Sequence, residues 1–568
     1  MPKFETTEKM FYGLMGRPYT DQELEDIFPR AKAELDEHDH ENHVIKIELN
    51  DTNRPDLWSA MGLARLLKNY DNPEPREYDF FSSKVYTADN RGRELHVGDR
   101  AKEVRPYSCG FVATGKVVDE EILLTLIQSQ EKLCWNFGRK RRSIAMGIYR
   151  NDLIQYPIHY DGADPDKTHF IPLHMEEDLT LRQICEQHPK GKEYGYIIKD
   201  KPVYPYLCDD AGEPLSMPPV INSARVGAVK VGDEDLFVEM SGTVLKDVLL
   251  CASIMACDMA DLGFTIEPIK VVYPYETEFG KEITVPYYFQ EPASCTIEQV
   301  HKTLGEKITM DEAKVALLRM GVYSVSKGDT IYITCPEYRN DFLHAVDVVE
   351  DVMIGYGLEN FVPTIPKDFT IGRLSPAEEF GRKVKDIMIG MGFQEMMYNY
   401  LGSRREYVDN MHISGDKVIM IANPMSENFE AVRPSIIPSL LESESVSGHA
   451  TYPHKIFEVG KVAYLEPSDN SGTVTRNNLG FMSADGSVGF NDVNSFVNTL
   501  MYFLRADYLL KAPEDDPRFI PGRCANIMVK GRCVGVFGEV HPAVLESWGC
   551  GMPAVVCEMD LDSLMELI

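Results

Sequence analysis

The chain has 568 residues, of which 44% are hydrophobic and 26% charged, and its formal net charge is −31. That composition is typical of a globular protein with several domains, and the apolar runs are shorter than the roughly 20 residues of a membrane-spanning helix. The charge argues against a protein whose whole surface binds nucleic acid, because phosphates would be repelled. It leaves room for a local basic patch or for a partner subunit that carries such contacts.

The cysteines and the N-terminus bear on location. None of the twelve cysteines forms a C-x-x-C pair, and no Cys/His cluster has the spacing of zinc ligands. The N-terminal segment MPKFETTEKM lacks the apolar region of a secretory signal. Scattered thiols in a large chain are typical of a reducing compartment, so we expect a cytoplasmic protein without a membrane anchor.

Residues 1–85 are predicted to form an N-terminal α+β module. Residues 45–49 alternate like a strand, and the polar break after them precedes a helix that carries Leu57, Met61 and Leu67. Asp56 stands where it could cap this helix. Arg54 is predicted to pair with Asp56 across the turn.

Residues 86–275 are predicted to form an α/β or α+β domain. Strands at residues 109–114 and 144–149 mix with helices at residues 120–137 and 245–262. The segment LSMPPVINS contains a Pro-Pro turn, and FVEMSGT follows it. In FVEMSGT, Glu239 and Ser241 alternate, which by pattern alone favours an exposed strand face.

One basic run stands out in this acidic chain. It consists of Arg139, Lys140, Arg141 and Arg142. A solvated turn between two elements and a local contact to phosphate both explain such a run.

Residues 276–363 are predicted to be a compact module with two short helices, at residues 296–304 and 310–320, and a β segment near Ile331. Thr309 and Glu312 have the spacing of a capping box at the start of the second helix. Two helices and a β segment resemble a winged-helix or helix-turn-helix module, which suggests DNA. An acidic face and the absence of a Lys/Arg stripe argue against DNA binding.

An acidic helix ends this module, in residues 335–357 (CPEYRNDFLHAVDVVEDVMIGYG). Asp341 is predicted to cap the helix, and Asp347, Glu350 and Asp351 follow at i, i+3 and i+4 on one face. Like charges at this spacing are destabilising unless a cation offsets them. Four carboxylates suit a Mg²⁺ ion that retains several waters. The alternative is a solvated acidic face that is partly paired with Arg339.

Residues 364–568 are predicted to form an antiparallel sheet with flanking helices. A long helix at residues 376–392 leads into alternating segments at residues 394–401, 418–422, 456–464, 526–529 and 531–538. The whole chain lacks a phosphate-binding P-loop, a Rossmann fingerprint and a G-x-S-x-G elbow. It therefore offers no self-standing nucleotide site.

Several long stretches together resemble one family. They are IELNDTNRPDLWSAMGLAR, LSMPPVINS with FVEMSGT, the acidic-helix stretch, ANPMSENFEAVRPSIIPSLLES and KIFEVGKV. Their order and spacing are similar to the β subunits of phenylalanyl-tRNA synthetase, in the shorter archaeal and eukaryotic cytosolic form. The resemblance covers essentially the whole chain.

The resemblance implies a two-chain enzyme, usually (αβ)₂, that ligates phenylalanine to tRNA(Phe) with ATP and Mg²⁺ in the cytoplasm. The α subunit would hold phenylalanine, ATP and the aminoacylation site. Residues 364–568 would be a class II synthetase-like domain without an active site, because Phe457 and Glu458 stand where an active copy has an Arg-containing motif. This domain would serve as the scaffold and interface for α.

The resemblance also implies an editing domain in residues 86–275 that hydrolyses Tyr-tRNA(Phe). The matching pocket residues are Leu207, Ser216, Glu239 and Ser241. Leu207 would pack on the aromatic ring, Glu239 would accept the tyrosine hydroxyl proton, and the two serines would orient the ester or a water. The archaeal pattern usually has Asp and Thr in place of Glu239 and Ser241. The basic run 139–142 would contact the tRNA acceptor strand.

For the acidic helix, the resemblance implies a structural Mg²⁺ site in the winged-helix-like module. Its ligands would be the same four residues that the spacing indicates, Asp341, Asp347, Glu350 and Asp351. Two other functions remain as alternatives: a stand-alone tRNA-binding or trans-editing protein, and a DNA-binding regulator built on residues 276–363.

Overall fold

The structure is a computed structural model that describes residues 2–51, 53–74, 77–82 and 90–568. It divides into two compact units, Met1–Ile365 and Pro366–Ile568, which are described separately. The predicted boundary between the first two modules, at residues 85 and 86, lies outside the described residues. Among the helices of the described residues, none is both long and apolar enough to cross a membrane.

The first unit begins with a three-stranded antiparallel sheet of order β1-β3-β2. Its elements are β1 (Lys3–Thr7), α1 (Glu8–Met15), α2 (Asp21–Ile27), β2 (Ala33–Asp39), β3 (Val44–Leu49) and α3 (Ala60–Asp71). The predicted Arg54–Asp56 ion pair is present and buried. Asp56 does not cap α3, because Ser59 accepts the N–H of Gly62 in that role.

The middle of the first unit is a ten-stranded sheet of order β12-β11-β10-β7-β4-β14-β5-β13-β6, with β15 paired to β14. Its strands are β4 (Glu94–Val97), β5 (Tyr107–Thr114), β6 (Ile144–Arg150), β7 (Ile158–Ala163), β10 (Tyr204–Cys208), β11 (Pro214–Met217), β12 (Ile221–Asn222), β13 (Asp235–Gly242), β14 (Thr265–Val272) and β15 (Glu282–Val285). A separate ribbon contains β8 (His169–Phe170) and β9 (Leu179–Thr180), and the helices are α4 (Glu120–Lys132), α5 (Leu181–Gln187), α6 (Pro189–Tyr194) and α7 (Leu245–Asp261). Helix α7 is apolar almost all round and lies in the core of this sheet.

The first unit ends with a small antiparallel sheet of order β16-β18-β17 and three helices. The elements are β16 (Ala293–Thr296), α8 (Ile297–Leu304), α9 (Met310–Arg319), β17 (Tyr323–Lys327), β18 (Thr330–Thr334) and α10 (Ala345–Tyr356). The predicted capping box of Thr309 and Glu312 is confirmed. The prediction that Asp341 caps the acidic helix is wrong: α10 begins at Ala345, and the carboxylate of Asp347 accepts two N–H groups just before it. The apolar side chains of this region share one core with those of the N-terminal sheet.

The second unit contains a seven-stranded sheet of order β19-β23-β24-β28-β27-β26-β25, antiparallel except for the β19–β23 pair, and a small sheet of order β20-β22-β21. Its strands are β19 (Gln394–Glu395), β20 (Leu401–Gly402), β21 (Ile419–Met420), β22 (Ala431–Val432), β23 (His454–Leu465), β24 (Thr473–Ala484), β25 (Leu509–Lys511), β26 (Phe519–Val529), β27 (Arg532–Val540) and β28 (Ala554–Asp560). The helices are α11 (Pro376–Gly390), α12 (Ile437–Val446), α13 (Phe490–Leu504), α14 (Pro542–Trp548) and α15 (Leu561–Leu567). The continuous strand predicted for residues 394–401 is wrong, because only its two ends pair, and with different sheets.

Candidate functional site

A cavity of about 520 Å³ lies in the middle domain, where the ten-stranded sheet curls back on itself. The edge strand β6 forms one wall, and the segment from β11 to β12, at the opposite end of the strand order, forms another. Helix α4 closes the cavity with Leu123, Leu126 and Ile127. Most of the wall area is apolar, and polar and charged side chains supply the rest, a combination that is typical of a site for a small organic group.

Glu239 is the buried acid of this cavity. It lies in the centre of β13 with 1% of its surface exposed, so the sequence pattern that favoured an exposed strand face is misleading here. Its carboxyl accepts a hydrogen bond from the Ser108 hydroxyl at 2.9 Å. Burial raises the pKa of Glu239 to about 7, although Ser108, Arg105 and Ser241 act in the opposite direction.

Two glycines flank Glu239 in the sheet, Gly110 on β5 and Gly147 on β6. A Cβ on Gly147 would lie 2.1 Å from the hydroxyl oxygen of Tyr149. That hydroxyl donates to Oγ of Ser216 across the cavity at 2.8 Å. Gly147 is therefore the residue that makes room for the Tyr149–Ser216 contact beside Glu239.

The structure brings two of the four predicted pocket residues to the cavity wall, Ser216 and Glu239. The other two, Leu207 and Ser241, are not among the described residues that line the cavity. Leu207 is fully buried and is the strand partner of Ser216. Ser241 is also buried, and its hydroxyl accepts a hydrogen bond from Arg105. Leu207 and Ser241 therefore lie next to residues of the cavity wall, Ser216 and Glu239 respectively, and their contact with a ligand stays a prediction.

The basic run forms a tight turn at the rim of the cavity. Arg139, Lys140 and Arg141 have φ values of 51°, 56° and 64°, in the left-handed region that non-glycine residues rarely adopt. Buried Arg105 donates to the carbonyl oxygens of Arg141 and Arg142 and holds the turn. The predicted turn is therefore present, and the contact to phosphate stays a prediction.

Only Arg141 of the four basic residues lines the cavity. Its guanidinium stacks 4.2 Å from the ring centre of Tyr194 and donates to the carbonyl oxygens of Pro219 and Val220. The other three basic side chains are exposed, and Lys140 lies 5.1 Å from the ring of exposed Trp135.

Sequence reasoning missed His174 and Lys190, which also border the cavity. His174 has a φ of 69°, and the segment that carries it is tied to β12 by a hydrogen bond from the N–H of Leu173 to Asn222. No local sequence pattern marks these two residues. His174 lies on a loop and Lys190 on α6, and the tertiary fold brings both elements to the cavity.

Two of the four predicted metal ligands, Asp341 and Asp351, are bound by Arg339. The guanidinium donates to both carboxylate oxygens of Asp341 at 3.0 and 2.6 Å, and to Asp351 at 2.6 and 3.2 Å. Burial alone would raise the pKa of Asp341, but Arg339 outweighs it and lowers the pKa to about 2. Asp351 is 3% exposed, so the alternative of a solvated acidic face fails for this residue.

The other two carboxylates have partners of their own. Glu350 accepts from the ammonium of Lys32 at 2.6 Å, and Lys32 also pairs with Asp51 at 2.8 Å. Asp347 binds the backbone ahead of α10, as described above.

These contacts decide how well the four carboxylates suit Mg²⁺. Asp341, Glu350 and Asp351 do border one small cavity, but Lys32, Arg54 and Arg339 border it as well. Mg²⁺ requires near-octahedral oxygen ligands at 2.0–2.1 Å, whereas here the oxygens are bound by cationic side chains and by the backbone. In this arrangement the residues do not fit a Mg²⁺ site.

Comparison with known proteins decides the family. The chain is 47% identical over 569 residues to the phenylalanine–tRNA ligase β subunit of Borrelia hermsii, and 46% identical over 567 residues to that of Borreliella burgdorferi ZS7; each alignment covers 100% of both chains. The chain belongs to the family of phenylalanine–tRNA ligase β subunits. The resemblance read from the sequence is thereby confirmed.

Domain and structure comparisons agree with this family. The model of the tRNA synthetase B5 domain matches residues 293–358, and that of the phenylalanyl-tRNA synthetase β chain CLM domain matches residues 362–561. An N-terminal fragment of the phenylalanyl-tRNA synthetase β subunit from Pyrococcus horikoshii is similar in structure, with a TM-score of 0.58 and 35% identity, and covers 63% of this chain and 100% of the fragment. As a member of the family, the chain is a β subunit of an aminoacyl-tRNA synthetase, with an α subunit and tRNA as partners.

Proposed function

We propose that this β subunit, besides supporting aminoacylation of tRNA(Phe), hydrolyses Tyr-tRNA(Phe) in the cavity beside Glu239. The observation that carries this proposal is a buried carboxyl with a pKa of about 7 at the wall of a largely apolar cavity of about 520 Å³. The apolar part suits an aromatic ring, and the carboxyl suits a phenol hydroxyl.

Discrimination between tyrosine and phenylalanine follows from the polar groups of the cavity. A synthetic site that binds a phenyl ring cannot strongly reject a ring with one more hydroxyl, so a second site that requires the hydroxyl supplies the missing selectivity. Glu239 can accept the hydroxyl proton of tyrosine. A phenylalanyl group would leave the same buried carboxyl unpaired, which costs free energy.

Hydrolysis in this cavity would use a positioned water. The hydroxyl of Ser216 accepts a hydrogen bond from Tyr149, and among the described residues no histidine is hydrogen-bonded to Ser216. The water attacks the ester carbonyl, the bond to the ribose oxygen breaks, and that oxygen takes up a proton as tyrosine leaves. The protein contributes orientation and exclusion of the cognate ring, and the tRNA ribose contributes nearby hydroxyls.

The acceptor end would reach the cavity over the basic turn. Arg139, Lys140 and Arg142 are exposed and can contact phosphates, while Arg141 shapes the rim. Trp135 is 45% exposed beside Lys140 and offers a face on which an unpaired base can stack.

The second unit would bind the α subunit in an (αβ)₂ assembly. Phe457 is fully buried and Glu458 is bound to buried Arg433, so neither is presented as an ATP ligand. Tyr502, Phe503 and Leu509 expose 74%, 58% and 76% of their surfaces, and aromatic side chains such as the first two are enriched in subunit interfaces. Phenylalanine, ATP and Mg²⁺ would bind to α. The second unit would have the class II synthetase fold and serve only as a scaffold.

The cysteines support a cytoplasmic location, since all twelve are free thiols.

The test is hydrolysis of preformed Tyr-tRNA(Phe) by the complex with α. Glu239→Ala should abolish Tyr-tRNA(Phe) hydrolysis and leave phenylalanine charging intact, and Glu239→Gln separates the charge of the carboxyl from its size. Glu234→Ala, an exposed acid on the approach to the same strand, is the matched control. Charging of phenylalanine without any tyrosyl hydrolysis in the wild type would refute editing and leave family membership untouched. Full editing by the chain without α would favour a trans-editing protein.

A further inference from the structure

Five acidic and histidine side chains meet at one corner of the N-terminal sheet, away from the cavity. Glu8 begins α1, Asp21 begins α2, His38 lies at the end of β2, and His40 and His43 lie in the turn to β3. Among the described residues, Glu8, His38 and His40 are the one group of three metal-ligating side chains whose donor atoms lie within 4.8 Å of each other. The search of the sequence for zinc-ligand spacing missed this group, because Glu8 lies about 30 residues before the two histidines, on a different element.

One ring nitrogen of His38 and one of His40 point toward the same carboxylate oxygen of Glu8. Oε1 of Glu8 lies 2.8 Å from Nε2 of His38 and 4.0 Å from Nδ1 of His40. Around a tetrahedral zinc ion with bonds of 2.0–2.2 Å, ligand atoms are about 3.4 Å apart. One of the two observed distances is shorter than that value and the other is longer, and the three side chains have donor atoms that all lie within 4.8 Å of one another.

The outer atoms of both imidazoles are held by a single carboxylate. Asp21 binds Nδ1 of His38 at 2.5 Å through one oxygen and Nε2 of His40 at 3.1 Å through the other. A metal-bound histidine commonly donates its second ring N–H to a carboxylate, which fixes the tautomer and the ring orientation. Here one aspartate does this for two histidines at once.

Glu8 is oriented from outside in the same way. Its second oxygen accepts from Nδ1 of His43 at 2.9 Å, and His43 is placed by a left-handed φ of 56°. The rings of His38 and His40 lie 3.9 Å apart between centroids, so the two imidazoles are already close together.

We propose that Glu8, His38 and His40 bind a zinc-class divalent ion through Oε1, Nε2 and Nδ1, with Asp21 and His43 orienting these ligands. Imidazole with one carboxylate suits zinc and its transition-metal neighbours, whereas Mg²⁺ prefers oxygen alone. On binding, the proton between His38 and Glu8 leaves to solvent, His38 keeps the N–H that faces Asp21, and water fills the fourth position. The ion ties α1, α2 and the β2–β3 turn together.

The test uses the full chain with its α partner, stripped with a chelator and titrated with Zn²⁺ by calorimetry and with Co²⁺ by visible absorption. We expect wild type to bind a zinc ion that His40→Ala does not bind. The ring of His40 is 64% exposed, so this variant should keep the metal-free thermal midpoint of wild type. Asp21→Asn should weaken binding about 10–100-fold without removing a ligand.

His159→Ala is the matched control, since His159 is a half-exposed histidine paired with Asp210 outside the cluster. It should bind zinc as wild type does. Equal zinc affinity in wild type and His40→Ala, or a Co²⁺ spectrum that shows only water as ligand, would overturn the proposal and leave the cluster as histidines hydrogen-bonded to acids. Neither outcome bears on Tyr-tRNA(Phe) hydrolysis.

Discussion

The hydroxyl of Tyr149 on edge strand β6 donates to Oγ of Ser216 at 2.8 Å and joins β6 across the cavity to β11, the second strand from the other end of the ten-stranded sheet. Both side chains are at most 1% exposed. A single neutral hydrogen bond thus closes the wall that faces Glu239, and it depends on the absence of a side chain at Gly147.

Tyr149→Phe should therefore loosen this wall with a modest loss of stability. Removal of a neutral buried hydrogen bond costs about 0.5–1.5 kcal/mol, and the stacking of the ring on Phe237 remains. We expect a small drop in the thermal midpoint and a larger loss of selectivity for tyrosyl over phenylalanyl ester, measured as the ratio of hydrolysis rates. Gly147→Ala should reproduce the loss of selectivity, because the added Cβ displaces the same hydroxyl. Unchanged selectivity in both variants would show that the contact does not shape the cavity.

Glu239 should make stability fall as pH rises. Its pKa is near 4.5 in the unfolded chain and about 7 in the folded protein, so between these values the folded state binds the extra proton. The difference amounts to about 3 kcal/mol above pH 7. We expect Glu239→Gln to be more stable than wild type at pH 8 and equal to it below pH 4.5, by denaturant titration at each pH. A pH-independent difference would contradict burial as the cause of the raised pKa.

Lys32→Met should create room for Mg²⁺ at the acidic helix. The substitution removes the cation that binds both Glu350 and Asp51, and it leaves their carboxylates without this cationic partner. We expect the variant to gain thermal stability from added Mg²⁺ while wild type gains little. A strong Mg²⁺ response in wild type, lost in Asp347→Asn, would instead restore the four-carboxylate site read from the sequence. Lys3→Met, at a more exposed lysine paired with two acids, is the control.

Arg433→Met should damage the second unit. The guanidinium is fully buried and binds both oxygens of Glu458 at 2.7 and 2.9 Å, so the substitution leaves a buried carboxylate without its cation. Such a loss typically costs 3–5 kcal/mol. We expect weaker association with α and a lower midpoint for this unit, measured by sedimentation and by thermal unfolding. Arg532→Met, which breaks an exposed pair with Glu566, should cost less than about 1 kcal/mol.

Much of this protein was determined by local sequence. The capping box at Thr309, the helices α4 and α7 and the buried Arg54–Asp56 pair all follow from residues a few positions apart. Propensity, periodicity and capping act over such distances, so they can be read from the chain. Family membership also followed from the sequence, because the motifs are long and their order is specific.

Only the tertiary structure decided which chemical groups meet. The pattern of β13 could not tell that Glu239 is buried, since that depends on strands β5 and β6 beside it. Leu207 and Ser216 are strand partners, yet only one of them reaches the cavity. Two acids of α10 bind cationic side chains: Asp351 binds Arg339, and Glu350 binds Lys32, which lies more than 300 residues earlier in the chain. Glu8 and His38 likewise come from different elements. Burial, charge pairing and convergence are properties of contacts between distant segments, and those contacts exist only once the chain has folded.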